Sequence, residues 1–180
     1  MEINVAIVED NEGLRESLKI LISGTNGIKC VAVFTSAEEV IKNFSTLNAD
    51  VILMDINLPG MNGIECTKIL KEKNALFQII MLTVYEDSEM IFESLKAGAS
   101  GYLLKRTTPV TLLEAIQDVV KGGSPMSGQI ARMVVESFRN KKLIDDSYKL
   151  SKRELEILDC LSKGCRYKEI AEQLFISIDT

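Results

Sequence analysis

The chain contains no histidine. That removes the usual general base of Ser/His and Cys/His catalysis and the commonest zinc ligand. Its four cysteines, Cys30, Cys66, Cys160 and Cys165, form no CxxC pair. They read as free thiols in a reducing cytoplasm, with neither a disulfide framework nor a zinc site. No apolar run approaches the roughly 18 residues that a membrane-crossing helix needs. The start, Met1-Glu2-Ile3-Asn4-Val5, is acidic and passes straight into a strand pattern, which is not how a signal peptide begins. Basic charge is also scarce: the net charge is −5, acidic side chains outnumber basic ones over residues 1–122, and residues 149–180 are balanced. Charge alone therefore gives no sign of a nucleic-acid partner. What is present is ordinary for a globular protein: 180 residues, 46% hydrophobic and 26% charged. That length holds either one large domain or one of typical size and a small one.

Through residues 1–122 short apolar runs alternate with helical periodicity. Ile3–Val8, Lys29–Phe34, Val51–Met54, Gln78–Leu82 and Gly101–Leu104 read as strands. Leu14, Leu18, Leu21 and Ile22 share one helical face. Ser36 with Glu39 makes a capping-box pattern. Further helices are expected near Gly63–Lys71, Asp87–Lys96 and Val110–Lys121. Short apolar strands separated by helices predict an α/β fold with a parallel sheet covered on both faces. The flavodoxin-like order 2-1-3-4-5 closes five such units. Gly122-Gly123-Ser124-Pro125 breaks the pattern. A helix is expected over Gln129–Arg139, and the charged stretch Asn140–Lys149 reads as a linker.

In open α/β sheets, ligands sit beyond the carboxyl ends of the strands. Five polar side chains end apolar runs on that side: Glu9 and Asp10 after the first strand, Asp55 after the third, Thr83 after the fourth and Lys105 after the fifth. Each alone could be a helix cap or a solvated side chain; five on one rim predict a site. Three clustered carboxylates repel unless a cation intervenes, and Mg²⁺ suits a small carboxylate site. A hydroxyl and an ammonium suit phosphoryl oxygens. The set reads as a phosphoryl-accepting carboxylate with Asp55 as nucleophile.

Val8-Glu9-Asp10-Asn11, Leu53-Met54-Asp55-Ile56-Asn57-Leu58-Pro59-Gly60-Met61-Asn62-Gly63, Leu82-Thr83 and Ala97-Gly98-Ala99-Ser100-Gly101-Tyr102-Leu103-Leu104-Lys105 resemble the receiver domain of two-component response regulators. The resemblance implies that Asp55 takes a phosphoryl group from the phosphohistidine of a sensor histidine kinase. It implies that Glu9, Asp10, Asp55 and the backbone carbonyl of Asn57 hold Mg²⁺, that Thr83 and Lys105 bind phosphoryl oxygens, and that Thr83 and Tyr102 form a switch pair. Many receivers have proline directly after the lysine; here Arg106 stands there and Pro109 comes later. Tyr85, two residues past Thr83, either shields the phosphoryl group from water or packs on the fourth helix.

Leu150-Ser151-Lys152-Arg153-Glu154-Leu155-Glu156-Ile157-Leu158 and Lys168-Glu169-Ile170-Ala171-Glu172-Gln173-Leu174-Phe175-Ile176-Ser177 resemble the opening of a LuxR-type helix-turn-helix. Together with the receiver they indicate the NarL/FixJ family. The expected division is a receiver over 1–122, a linker with one helix over 123–148, and the first part of an all-α helix-turn-helix over 149–180. The second tail helix is expected to run over Lys168–Leu174 after a stop at Gly164. The sequence ends at Thr180, where a recognition helix would begin, so DNA-reading residues stay unassigned. DNA is expected to be a partner of the full-length protein and not of this shortened chain, whose tail is expected to be loosely held or docked. The expected function is a phosphorylation-switched transcription regulator, not an enzyme and with no membrane partner, whose DNA-binding unit is either freed or brought into a homodimer on phosphorylation. The alternative is a receiver-based adaptor acting by protein contact. A haloacid-dehalogenase-type phosphohydrolase also uses an aspartate nucleophile, but it needs a second aspartate where this chain has Asn57.

Overall fold

In a computed structural model of the full chain, the described residues are 2–147 together with Glu156, Ile157, Asp159, Cys160, Ile170, Ala171 and Leu174. The chain divides into two compact units, Met1–Ser137 and Phe138–Thr180.

The first unit is built on strands β1 (Ile3–Val8), β2 (Ile28–Phe34), β3 (Val51–Met54), β4 (Gln78–Thr83) and β5 (Gly101–Leu104). All pair in parallel in the order β2-β1-β3-β4-β5, as the sequence pattern predicts. Between them run α1 (Glu12–Ser23), α2 (Ala37–Asn43), α3 (Gly63–Lys73), α4 (Ser88–Lys96) and α5 (Pro109–Val119), with a 3-10 turn at Phe44–Thr46 and a last helix, α6 (Gly128–Ser147). Each of the first five helices starts on a polar N-cap whose side chain accepts an amide of the first turn: Asn11, Ser36, Asn62, Asp87 and Thr108. At α2 the capping box is displaced by one residue. Ser36 accepts the Glu39 amide, but the Glu39 carboxylate takes the backbone N–H of Thr35.

Strand alternation separates two cores. Val5, Ile7, Leu53, Ile80, Leu82 and Leu103 pack with Leu18 and Ile22 of α1 and Leu112 and Ile116 of α5. Ala6, Val8, Ile52, Met54, Met81, Tyr102 and Leu104 pack with side chains of α2, α3 and α4. Burying each large aliphatic side chain contributes about 2 kcal/mol. Ile130 of α6, fully buried, joins this second core.

The free edge of β5 is covered by the segment before α6. The Tyr102 amide donates to the Pro125 carbonyl at 2.9 Å, and Tyr102 pairs in parallel with Met126. Covering the edge at this point pairs a backbone group that a free edge strand leaves open. Gly101 permits the approach, since a Cβ there would sit 2.8 Å from Pro125 Cγ.

Helix α6 extends through most of the charged stretch expected to be a linker. From Gln129 to Ser147 there is neither glycine nor proline to stop it. In the second unit, Glu156, Ile157, Asp159 and Cys160 are helical, as are Ile170, Ala171 and Leu174. The stop at Gly164, the ends of the second tail helix and the expectation of a loosely held tail lie outside the described residues. Among the described residues no helix is long and apolar enough to cross a membrane.

Candidate functional site

Three of the site residues prolong a parallel ladder by one hydrogen bond beyond their strands. The Glu9 amide donates to Phe34 O of β2 at 3.1 Å, the Asp55 amide to Val8 O of β1 at 3.0 Å, and the Lys105 amide to Thr83 O of β4 at 2.8 Å. The sheet therefore fixes the backbone of three chemically active residues on one rim. The start of α3 presses on the same place. The Gly63 amide donates to Ile56 O, and a Cβ at Gly63 would collide with the Asp55 carbonyl. Only glycine allows that approach.

The side chains of Glu9, Asp10, Asp55 and Lys105 come together. Lys105 Nζ lies 2.8 Å from Asp55 Oδ2 and 2.8 Å from Glu9 Oε2. Carboxylate oxygens of Glu9, Asp10 and Asp55 all lie within 4.8 Å of one another. Glu9 is 1% exposed and Asp55 3%, whereas Asp10 faces solvent. Burial pushes the Glu9 carboxyl above its usual range; its hydrogen bond to Lys105 opposes that, and the Asp55 charge adds to it. For Lys105, desolvation pulls the ammonium down, but hydrogen bonds and charge from Asp55 and Glu9 outweigh it, and the net shift is upward.

The expected repulsion is thus partly relieved by the chain's own lysine. Three carboxylates against one ammonium still leave two negative charges in excess. Asp55 Oδ1 is buried and has no hydrogen-bond partner, which is costly for a carboxylate oxygen. An oxygen-only donor set, a double negative excess and an orphaned buried oxygen together fit a hard divalent cation such as Mg²⁺.

Thr83, the last residue of β4, is fully buried on the same rim, and its Oγ1 accepts the Tyr85 amide at 3.4 Å. Asn57 lies exposed on the loop after β3. Tyr102 is wholly buried, and its hydroxyl donates to Tyr85 O at 3.0 Å, so the hydroxyl does not reach the surface as strand aromatics commonly do. Burial raises the Tyr102 phenol well above its ordinary value, keeping it a neutral donor. The Tyr85 side chain is 37% exposed. Arg106, in place of the usual proline, pairs with Glu86 at 2.8 Å, and Glu86 also accepts from Gln129 of α6 at 3.3 Å.

One contact was not foreseen from the sequence. Arg15 Nη1 donates to both Glu9 O and Asp10 O, each at 2.9 Å. Its signal in the sequence is a cation in the first turns of a helix, where the macrodipole disfavours it.

Residues 5–117 match the response regulator receiver domain, and residues 148–180 match the luxR family of bacterial regulatory proteins. The chain is 35% identical over 179 residues to the response regulator UvrY of Escherichia coli K12, covering 99% of this chain and 82% of that protein. It is similar to a crystal structure of a LuxR-family two-component response regulator from Aurantimonas sp. SI85-9A1, with a TM-score of 0.72 and 30% identity over 76% of this chain and 98% of that one. It is also similar to the response regulator RcsB in a DNA complex, with a TM-score of 0.69 and 25% identity over 99% of this chain and 86% of that one. The chain therefore belongs to the receiver family and, with its luxR-type C-terminal segment, is a two-component response regulator of the NarL/FixJ family.

Proposed function

We propose that Asp55 is the phosphoryl acceptor of this regulator and that its phosphorylation by a sensor histidine kinase controls DNA binding. The observation that carries the reading is the Asp55 carboxylate itself: Oδ2 is held by Lys105 at 2.8 Å, while buried Oδ1 keeps its lone pairs uncommitted. A fixed carboxylate with a free oxygen is prepared for in-line attack. The carboxylate attacks phosphorus, the P–N bond of the phosphohistidine breaks, and its electron pair returns to the imidazole, which takes up a proton. Asp55 is left as an acyl phosphate.

Glu9, Asp10, Asp55 and the carbonyl of Asn57 would hold Mg²⁺, which when bound supplies positive charge for the phosphoryl oxygens. Lys105 binds one of those oxygens as a point charge. Thr83 binds another through its hydroxyl, leaving the Tyr85 amide. Tyr85 gives its amide to Thr83 and its carbonyl to Tyr102. A change at Thr83 therefore reaches Tyr102, whose amide holds Pro125 just before α6. That is a physical route toward the C-terminal segment.

On this reading residues 1–122 are the receiver, 123–148 the linker and 149–180 part of a DNA-binding unit in a cytoplasmic protein that turns over no metabolite. DNA binding is supported by the luxR match and the likeness to RcsB in its DNA complex. Phosphorylation would pair the protein with a second copy. The test is intact-mass analysis after incubation with acetyl phosphate and Mg²⁺. Wild type should gain one phosphoryl group and Asp55→Asn none; no gain in wild type would refute the reading.

A further inference from the structure

We infer that Arg15 is a positioning residue for the acidic pair of the site, holding Asp10 in place through the backbone. The inference rests on the reading of Glu9, Asp10 and Asp55 as a Mg²⁺ site. Only two residues, Glu9 and Asp10, separate the last residue of β1 from the N-cap of α1. Glu9 is held from several directions. Its amide bonds to Phe34 O, its carboxylate takes the Lys105 ammonium, and its Oε1 accepts the Asn11 amide at 3.2 Å.

Asp10 is different. Its carboxylate is exposed, and among the described residues it makes no side-chain hydrogen bond or ion pair. Yet it reaches within 4.8 Å of the other two carboxylates. Its place in the cluster is therefore set by the orientation of its peptide groups. The carbonyls of Glu9 and Asp10 both turn toward one nitrogen of Arg15, which reaches back from the second turn of α1. One guanidinium nitrogen bridging two consecutive carbonyls fixes both peptide planes at once.

The charge of Arg15 has a second consequence. Directed at carbonyl oxygens, it does not pair with any of the three carboxylates and leaves their negative charge available to a cation. A cation this close to the N-terminus of a helix opposes the macrodipole, a local cost that a positioning role explains. Residues that orient metal ligands without touching the metal typically govern affinity by about tenfold or more.

The test uses the full chain and Mg²⁺ alone, titrated while the backbone amides of Asn11 and Lys105 are followed by NMR, with thermal unfolding in EDTA alongside. Arg15→Met keeps the aliphatic stem and removes the bridge. It should raise the half-saturating Mg²⁺ concentration about tenfold, and Arg15→Lys should recover part of that loss. In phosphorylation by acetyl phosphate, Arg15→Met should be slow at low Mg²⁺ and approach the wild-type rate at saturating Mg²⁺. Half-saturation equal to wild type, with only the thermal midpoint lowered, would overturn the inference and leave a purely structural contact. If wild type itself shows no Mg²⁺-dependent shift, the metal-site reading falls, and the inference with it. Should Arg15→Met not fold, Arg15→Lys decides: half-saturation above wild type supports the inference, and equality overturns it.

Discussion

The hydroxyl of Tyr102 donates to the carbonyl oxygen of Tyr85 at 3.0 Å from a ring that is wholly buried. Since the Tyr85 amide bonds to Thr83 Oγ1, the two expected switch residues are joined through one intermediary. Tyr102→Phe removes the donor and leaves the Tyr85 carbonyl without it. The expected loss of stability is about 1 kcal/mol, read by urea denaturation. Acetyl phosphate should still load Asp55 at the wild-type rate. A large fall in loading would place Tyr102 within the acceptor chemistry and contradict its position in the switch.

Lys105 keeps Glu9 and Asp55 together. Lys105→Met leaves two buried carboxylates facing each other without their ammonium, and removing one partner of a buried pair costs about 3 kcal/mol. The variant should melt lower than wild type in EDTA. It should gain more from Mg²⁺ than wild type does, because the added cation then supplies the missing charge. Equal melting of variant and wild type in EDTA would contradict the charge balance described here.

At Gly101 the segment before α6 lies close against the sheet. Gly101→Ala puts a methyl group 2.8 Å from Pro125 Cγ and 3.0 Å from Pro125 O. Overpacking of this kind costs about 1–3 kcal/mol. The expected sign of it is faster hydrogen exchange at the Tyr102 amide, whose acceptor is the Pro125 carbonyl. Unchanged exchange there would show that the edge pairing tolerates the methyl group.

Cys66 gives a pH dependence with a definite sign. It is fully buried on α3 and donates weakly to Ala37 O; burial, with the Glu38 charge adding to it, pushes its thiol up to about 12 from an ordinary value of 9.0. Above pH 9.0 the unfolded chain loses this proton while the folded chain retains it. Stability from this group is therefore intact below that pH and falls as pH rises toward 12. At mildly alkaline pH, iodoacetamide should leave Cys66 unmodified in the folded protein and alkylate it in urea. Rapid alkylation of the folded protein would contradict the burial.

The sheet and the converging site were legible because both are written locally. Val51–Met54 is a short apolar run stopped by Asp55, and Gly101–Leu104 is another stopped by Lys105. In a parallel sheet every such run delivers its next residue to the same rim. Contacts between distant segments leave no period to read. The pairing of Tyr102 with Met126, the ion pair of Arg106 with Glu86 and the salt bridge of Lys105 with Glu9 all depend on the assembled fold. Arg15 lies only five and six residues from its acceptors, but its role depends on which way the β1–α1 loop turns. Helix α6 outruns its expected end for another reason: a charged stretch resembles a loop in composition, but lysine and aspartate without glycine or proline do not stop a helix.

The central claim, that Asp55 receives the phosphoryl group, is tested most directly by borohydride reduction of the acetyl phosphate-treated protein followed by peptide sequencing. Reduction of an aspartyl phosphate leaves homoserine at the modified position. The account predicts homoserine at position 55, dependent on Mg²⁺ and absent when Lys105→Met is treated in the same way. Homoserine at Asp10 or at another carboxylate, with Asp55 unchanged, would contradict it.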